Sequence, residues 1–240
     1  MRNNLRNLLL ILIYSLFSFK NAYAIEPFVF DVTEIEVLEN GNQINGYKGG
    51  RVISEDGSEI IAKNFFYNKI KNILEAVGDV QYSSKISNTI IRSDKAIYFK
   101  NDEKIYTVGN SIAINDNNTI KASSLEYDKI NNIFKAKTNA MVNDLEKDTK
   151  IYADEITYFK NNEKVSTKGK TKALIEQKYV FNSKNVIYLR NAKKIFSQKN
   201  SVIEDDNGNI YKLSDFTYDI EEELLKGKNV NVIAKVDKNK

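Results

Sequence analysis

Apolar and polar positions alternate in short runs along most of this chain, with a polar loop of about five residues between one run and the next. Residues 151–169, IYADEITYFKNNEKVSTKG, show the unit: an apolar start, a small residue, a polar pair, an apolar residue and a Tyr, then a loop and a second run ending in Gly. The pattern occurs six times. Its Tyr anchors are Tyr67, Tyr98, Tyr127, Tyr158, Tyr188 and Tyr218, spaced by 31, 29, 31, 30 and 30 residues. So narrow a spread in a chain with 14 Tyr is a true internal repeat, the best single guide to a fold.

Other columns keep step with the anchor. Seven residues before it stand Ile60, Ile91, Ile120, Ile151, Phe181 and Tyr211; five before it, Ala62, Ser93, Ala122, Ala153, Ser183 and Leu213. Two before it stand Phe65, Ala96, Leu125, Ile156, Val186 and Phe216, none of them polar. Seven beyond the Tyr an apolar pattern reopens at Leu74, Ile105, Phe134, Val165, Ile195 and Leu225. Nine beyond it the residues are small, and eleven beyond it stand Gly78, Gly109 and Gly169 in three copies. Period-two alternation around a short polar loop predicts two antiparallel strands per unit, joined by a hairpin. A degenerate earlier unit at 32–49, with Val37 set 30 residues before Tyr67, brings the expectation to about seven hairpins and fourteen strands.

One feature of the pattern resists a flat strand. The small residue five before the Tyr and the apolar residue two before it have opposite parity, so both face inward only if the strand carries a bulge between them. A β-bulge shifts the alternation by one residue and bends the strand. The bend is expected near 94–96 and its equivalents.

Hairpins of about 30 residues expose an apolar face that no single unit buries, so neighbours must stack. A β-solenoid, a two-sheet jellyroll and a closed up-and-down barrel all meet that demand. A membrane barrel does not suit strands this rich in Lys, Asp and Asn.

The ends and the charge refine this picture. Arg2 and Arg6, the apolar run 8–19 and Ala22-Tyr23-Ala24 read as a secretory signal cleaved after Ala24, leaving one continuous domain over 25–240. The whole chain is +4, of which Arg2, Arg6 and Lys20 supply +3. The mature part is nearly neutral and gives no basis for a nucleic-acid partner.

Candidate chemistry is sparse. The chain has neither His nor Cys, which removes His-based nucleophile systems, the usual zinc ligand sets and disulfides. Asp94 and Asp154 recur without calcium-loop spacing and read as solvated strand or turn residues. Gly-rich phosphate loops are missing. The expectation is a protein that is not an enzyme, with no cofactor and no metal site.

The unit apolar-x-Ala/Ser-Asp-x-apolar-x-Tyr, followed by a polar hairpin and a small-residue strand ending in Gly, resembles the OstA-like repeat of the lipopolysaccharide export system. Ser93-Asp94 through Tyr98 to Gly109-Asn110 and Ala153-Asp154 through Tyr158 to Gly169 carry it best, and Ala76-Val77-Gly78-Asp79-Val80 resembles its second strand. The likeness extends over about residues 29–236. It implies an all-β fold: a twisted antiparallel β-jellyroll of about seven hairpin repeats, half-open and open at both edge strands. Leu213 in the small column, and Thr138, Lys199 and Asn229 in the Gly column, depart from the pattern.

The resemblance also implies a function. The module is expected in the periplasm, shielding the lipid A acyl chains of lipopolysaccharide and joining partner jellyrolls, or itself, edge to edge. It is expected to be either a soluble bridge protein or, favoured by its unit count, the N-terminal domain of an outer-membrane translocon, hence at the outer membrane. Groove candidates are Phe65, Leu74, Ile105, Leu125, Phe134, Ile156, Val165, Val186, Ile195 and Phe216. The six anchor Tyr are expected to form a core ladder. Partner contacts are assigned to Val29, Val37, Val230 and Val232 on the terminal strands. The reading from another class is a structural or adhesive β-repeat protein that binds proteins or glycans.

Overall fold

A computed structural model describes residues 27–235; the expected signal at 1–24 and Val236, assigned to the last strand, lie outside them. The described residues form nineteen strands, three short 3-10 turns and no α-helix. Every strand pairing is antiparallel, and together the strands make one continuous sheet. The nineteen strands amount to fourteen passes of the chain, because five passes are cut in two at mid-length, as Glu59–Ala62 and Asn64–Asn68 are. Successive passes are neighbours throughout, so the sheet is a meander with Phe28–Leu38 at one edge and Leu224–Lys228 with Asn231–Ile233 at the other.

The sheet is bent along one line. Register shifts fall between Val32 and Glu34, Val77 and Val80, Arg92 and Lys95, Lys121 and Ser124, and Ala153 and Glu155. This is where opposite parity called for a bulge, and its consequence is as expected: Ala153 and Ile156 both face the interior although three residues separate them. The bulges line up from pass to pass and form a spine, on either side of which lies a half-sheet.

Asp94 and Asp154 sit on that spine. The Lys170 N–H donates to Asp154 Oδ2 at 2.9 Å, and Asn110 Nδ2 donates to Asp94 Oδ2 at 3.0 Å. Gly109 and Gly169 stand opposite with φ of +78° and +82°, and a Cβ there would lie 2.2 and 2.1 Å from the facing carboxylate oxygen. Both the backbone conformation and the carboxylate exclude a side chain, which accounts for the Gly column. In the sixth copy Leu213 replaces the small residue, and Gly227 faces it without a side chain.

The two half-sheets fold onto each other as a β-jellyroll. Phe28, on one half, packs edge-on against Tyr67 and Tyr98 of the other at 5.0 and 5.6 Å between ring centroids. Tyr82 meets Tyr127 at 6.4 Å, and Phe181 meets Phe216 at 5.2 Å, in the same sense. A single cluster of buried side chains runs from Phe28 to Tyr218 between the halves.

Candidate functional site

The interior is built of rows that cross the whole sheet. In one half, cross-strand partners run Val37, Ile44, Tyr67, Leu74, Tyr98, Ile105, Tyr127, Phe134, Tyr158, Val165, Tyr188, Ile195, Tyr218 and Leu225. The anchor Tyr therefore do not stack on one another; an aliphatic or Phe residue from the column seven beyond stands between each pair. Tyr127 and Phe134 lie parallel at 4.3 Å, the closest such contact in the row. A second row alternates large and small, as in Leu125, Ala136, Ile156 and Thr167. That explains why the column nine beyond the Tyr is small: each member faces a bulky side chain two before an anchor.

All ten groove candidates and all six anchor Tyr are at most 3% exposed and share this one interior. Alternation tells which face of a strand a residue occupies, and these columns occupy the same face. Of the four edge residues, Val29, Val37, Val230 and Val232 are all at least half exposed on the two terminal passes. Val37 and Val232 belong to interior rows, and they are exposed because no further strand continues the sheet beyond them. The apolar interior thus runs out at both ends. The largest surface depression, about 570 Å³, lies on the bulge spine and is polar, with Asp154, Lys170, Lys172 and Lys184 in its lining.

A second group of residues assembles where the free margins of the half-sheets meet, opposite the spine. The hairpin turns of one half form a lower rim and those of the other an upper rim. At one junction Lys129 Nζ donates to Tyr98 Oη at 2.6 Å and pairs with Glu103 at 2.6 Å on its own rim, while reaching Asp56 Oδ2 at 2.9 Å on the other. Asp56 also accepts from Ser54 Oγ at 2.5 Å and from the Ser58 N–H at 3.0 Å. Burial acts to raise the Asp56 carboxyl, but Ser54, Lys129 and Ser58 outweigh it and hold the carboxyl well below the ordinary range. Burial likewise acts to lower the Lys129 ammonium, yet Tyr82, Glu103, Tyr98 and Asp56 together keep it above its usual value.

The same arrangement recurs one double repeat later. Arg190 Nη1 donates to Glu163 at 2.7 Å on its own rim, and Nε donates to Asp144 Oδ2 at 2.7 Å on the other, where Nη2 also binds Glu146. Between the two junctions Lys160 Nζ donates to the Ser87 carbonyl at 2.5 Å across the margin. Lys129, Lys160 and Arg190 stand two beyond an anchor Tyr, as do Lys69 and Lys100; only Ile220 breaks the column. The signal was present in the sequence, but a Lys in a polar loop has no feature that distinguishes it from a solvated one.

These elements define a class: an antiparallel β-jellyroll with a continuous apolar interior, open sheet edges and an ion-paired margin. Among the described residues, no cluster of three or more Asp or Glu is placed to hold a metal. The family model for OstA-like proteins matches residues 28–166, and the chain belongs to that family. Among solved structures, LptH of Pseudomonas aeruginosa, described as the LptA-homologous periplasmic component of the lipopolysaccharide transport device, aligns at 9% identity. That alignment covers 64% of this chain and 99% of LptH with a TM-score of 0.29. The TCP10 domain of Danio rerio CPAP, solved with a STIL peptide, aligns at 10% identity over 85% of this chain and 98% of that one, with a TM-score of 0.22. No curated protein matches the sequence.

Proposed function

We propose that this chain is a periplasmic lipopolysaccharide-transport module that shelters acyl chains between its half-sheets and extends the conduit by pairing its edges with other jellyrolls or with itself. Membership of the OstA-like family supports the setting. The observation that carries the reading is the continuity of the apolar rows out to exposed Val37 at one edge and Val232 at the other. An added strand at either end would prolong both the backbone ladder and the interior, which is how exposed sheet edges recruit partners. An interior made of aliphatic and aromatic side chains suits hydrocarbon, which needs only removal from water, about 0.8 kcal/mol per CH₂.

The ten groove candidates are then the surfaces that touch acyl chain. Because they are packed against each other, acyl chains enter only when the half-sheets separate. A photoreactive amino acid at Leu125 or Ile156 tests this. Crosslinks to lipopolysaccharide in cells are expected at both positions and not at the outward-facing Lys121. Crosslinks only from outward positions, to protein or glycan, would instead favour an adhesive repeat protein.

A further inference from the structure

The interior has two long margins of different kinds. At the bulge spine the chain itself passes from one half-sheet to the other, so that margin cannot part. At the opposite margin the backbone bonds between turns run along each rim: the N–H groups of Lys100, Lys129, Lys160 and Arg190 each donate to a carbonyl of the preceding turn on the same rim. The contacts that cross from rim to rim are made by side chains, chiefly Lys129 to Asp56, Lys160 to Ser87 and Arg190 to Asp144.

The rims also carry opposite charge. Five lower turns, at 68–72, 99–104, 128–132, 159–164 and 189–194, hold ten Lys or Arg against four Asp or Glu. The five facing upper turns, at 54–58, 84–88, 115–118, 144–148 and 175–178, hold three against seven. Where the lower rim turns acidic, at 219–223, the upper rim answers with Lys178, which pairs with Glu223. Exposed aliphatic tips, Ile70 and Ile130 on one rim and Ile86 and Leu145 on the other, alternate with these charges.

Resting on the transport reading, we infer that this margin is the slit through which the acyl chains of an anionic amphiphile enter, and that the basic lower rim binds its phosphate groups once the acidic upper rim swings away. An ion-paired seam closes without any apolar bond having to break inside a strand, and it exchanges partners readily. Phosphate competes for the same Lys and Arg side chains that the carboxylates hold, with charge-assisted hydrogen bonds of similar or greater strength. Hydrocarbon follows into the interior as the headgroup takes the rim. Ile70 and Ile130 supply the apolar step between water and core.

The chain lacks Cys, so introduced thiols are unique. Ile86→Cys with Asn161→Cys, and separately Leu145→Cys with Asn191→Cys, place thiols on facing rims for closure by a reducible bis-maleimide. Asn131→Cys with Asn161→Cys, linked along one rim, is the control for the modification itself. The readout is uptake of diphosphoryl lipid A bearing a fluorescent acyl chain. Linkage across the slit is expected to cut uptake about tenfold or more relative to the same-rim link, with recovery on reduction. Lys71→Gln with Lys164→Gln is expected to weaken binding of diphosphoryl lipid A about tenfold while leaving its dephosphorylated form unchanged. Equal uptake by cross-slit and same-rim links overturns the slit. Equal loss for both lipids overturns the phosphate assignment. If the unlinked protein takes up neither lipid, the transport reading itself fails and this inference with it.

Discussion

Replacing Gly169 with Ala tests whether the bulge spine is held by the geometry described. Two costs combine there. At φ +82° an L-residue is strained by about 1–2 kcal/mol. The new Cβ would also lie 2.1 Å from Asp154 Oδ2, 2.9 Å from its Cγ and 3.0 Å from its Cβ, so the whole side chain must leave. Its hydrogen bond from the Lys170 N–H, exposed to solvent, is lost for about 1 kcal/mol more. The total is about 2–3 kcal/mol. Gly49 supplies the control: it lies in the bulge of the second pass at the same φ, +82°, with nothing within 4 Å of its Cβ position. Gly49→Ala should therefore cost the backbone strain alone. In urea, with a slope of about 2–3 kcal/mol/M for a protein this size, the Gly169 variant should lower the midpoint by about 1 M and the Gly49 variant by about half that. Adding Asp154→Ala should remove most of the excess at Gly169 and none at Gly49, a coupling of about 1 kcal/mol. Midpoints that coincide for the two glycine variants, or a coupling near zero, would show that Asp154 does not govern the bulge.

Two further outcomes follow from the margin and the edges. The Asp56 and Glu103 carboxyls are held low in the folded protein by Lys129 and their other donors, so the stability they contribute is complete above the ordinary carboxylate range of about 4 and is lost as pH falls through the lowered values. Asp56 is one-third exposed, and screening limits its share to about 1 kcal/mol, or 2–4 °C in the melting temperature; Asp56→Asn should flatten that part of the acid limb, and a melting profile identical to the parent below pH 4 would contradict it. At the edge, Val232→Pro should abolish self-association or partner binding, read by analytical ultracentrifugation, with the circular-dichroism spectrum unchanged. Association at the parental level would remove that edge from the interface.

Much of this molecule was legible in its residues because repetition averages out local noise. The parity conflict between Ala153 and Ile156 called for a bulge, and the bulge is there. The same reasoning could not separate Tyr158 from Val165: alternation reports a face, and both lie on one row. Nor did it find the charged margin. Lys129 and Asp56 are 73 residues apart in sequence and both occupy turns, where polar residues are the default and carry no signal. The 30-residue period also hid a longer one. Lys100–Asp102 and Lys160–Asn162 form 3-10 turns capped by Glu103 and Glu163, both at φ 49°, whereas the intervening turns at 69–72 and 129–132 do not. Those two Glu are the same-rim partners of Lys129 and Arg190, so the margin follows a period of two hairpins.

The unbroken interior row has a consequence for how such a protein changes size. Each pass adds about 4.8 Å across the sheet, so fourteen passes span roughly 60 Å and one hairpin contributes about 10 Å. Every hairpin meets its neighbours through the same alternation of Tyr with aliphatic and of large with small. A duplicated pair of hairpins therefore lengthens the molecule by about 20 Å, restores the alternation of turn types and poses no new packing problem. Length becomes a quantity that copying or deleting about 60 residues of coding sequence can set, in fixed increments, to match whatever distance lies between the two ends.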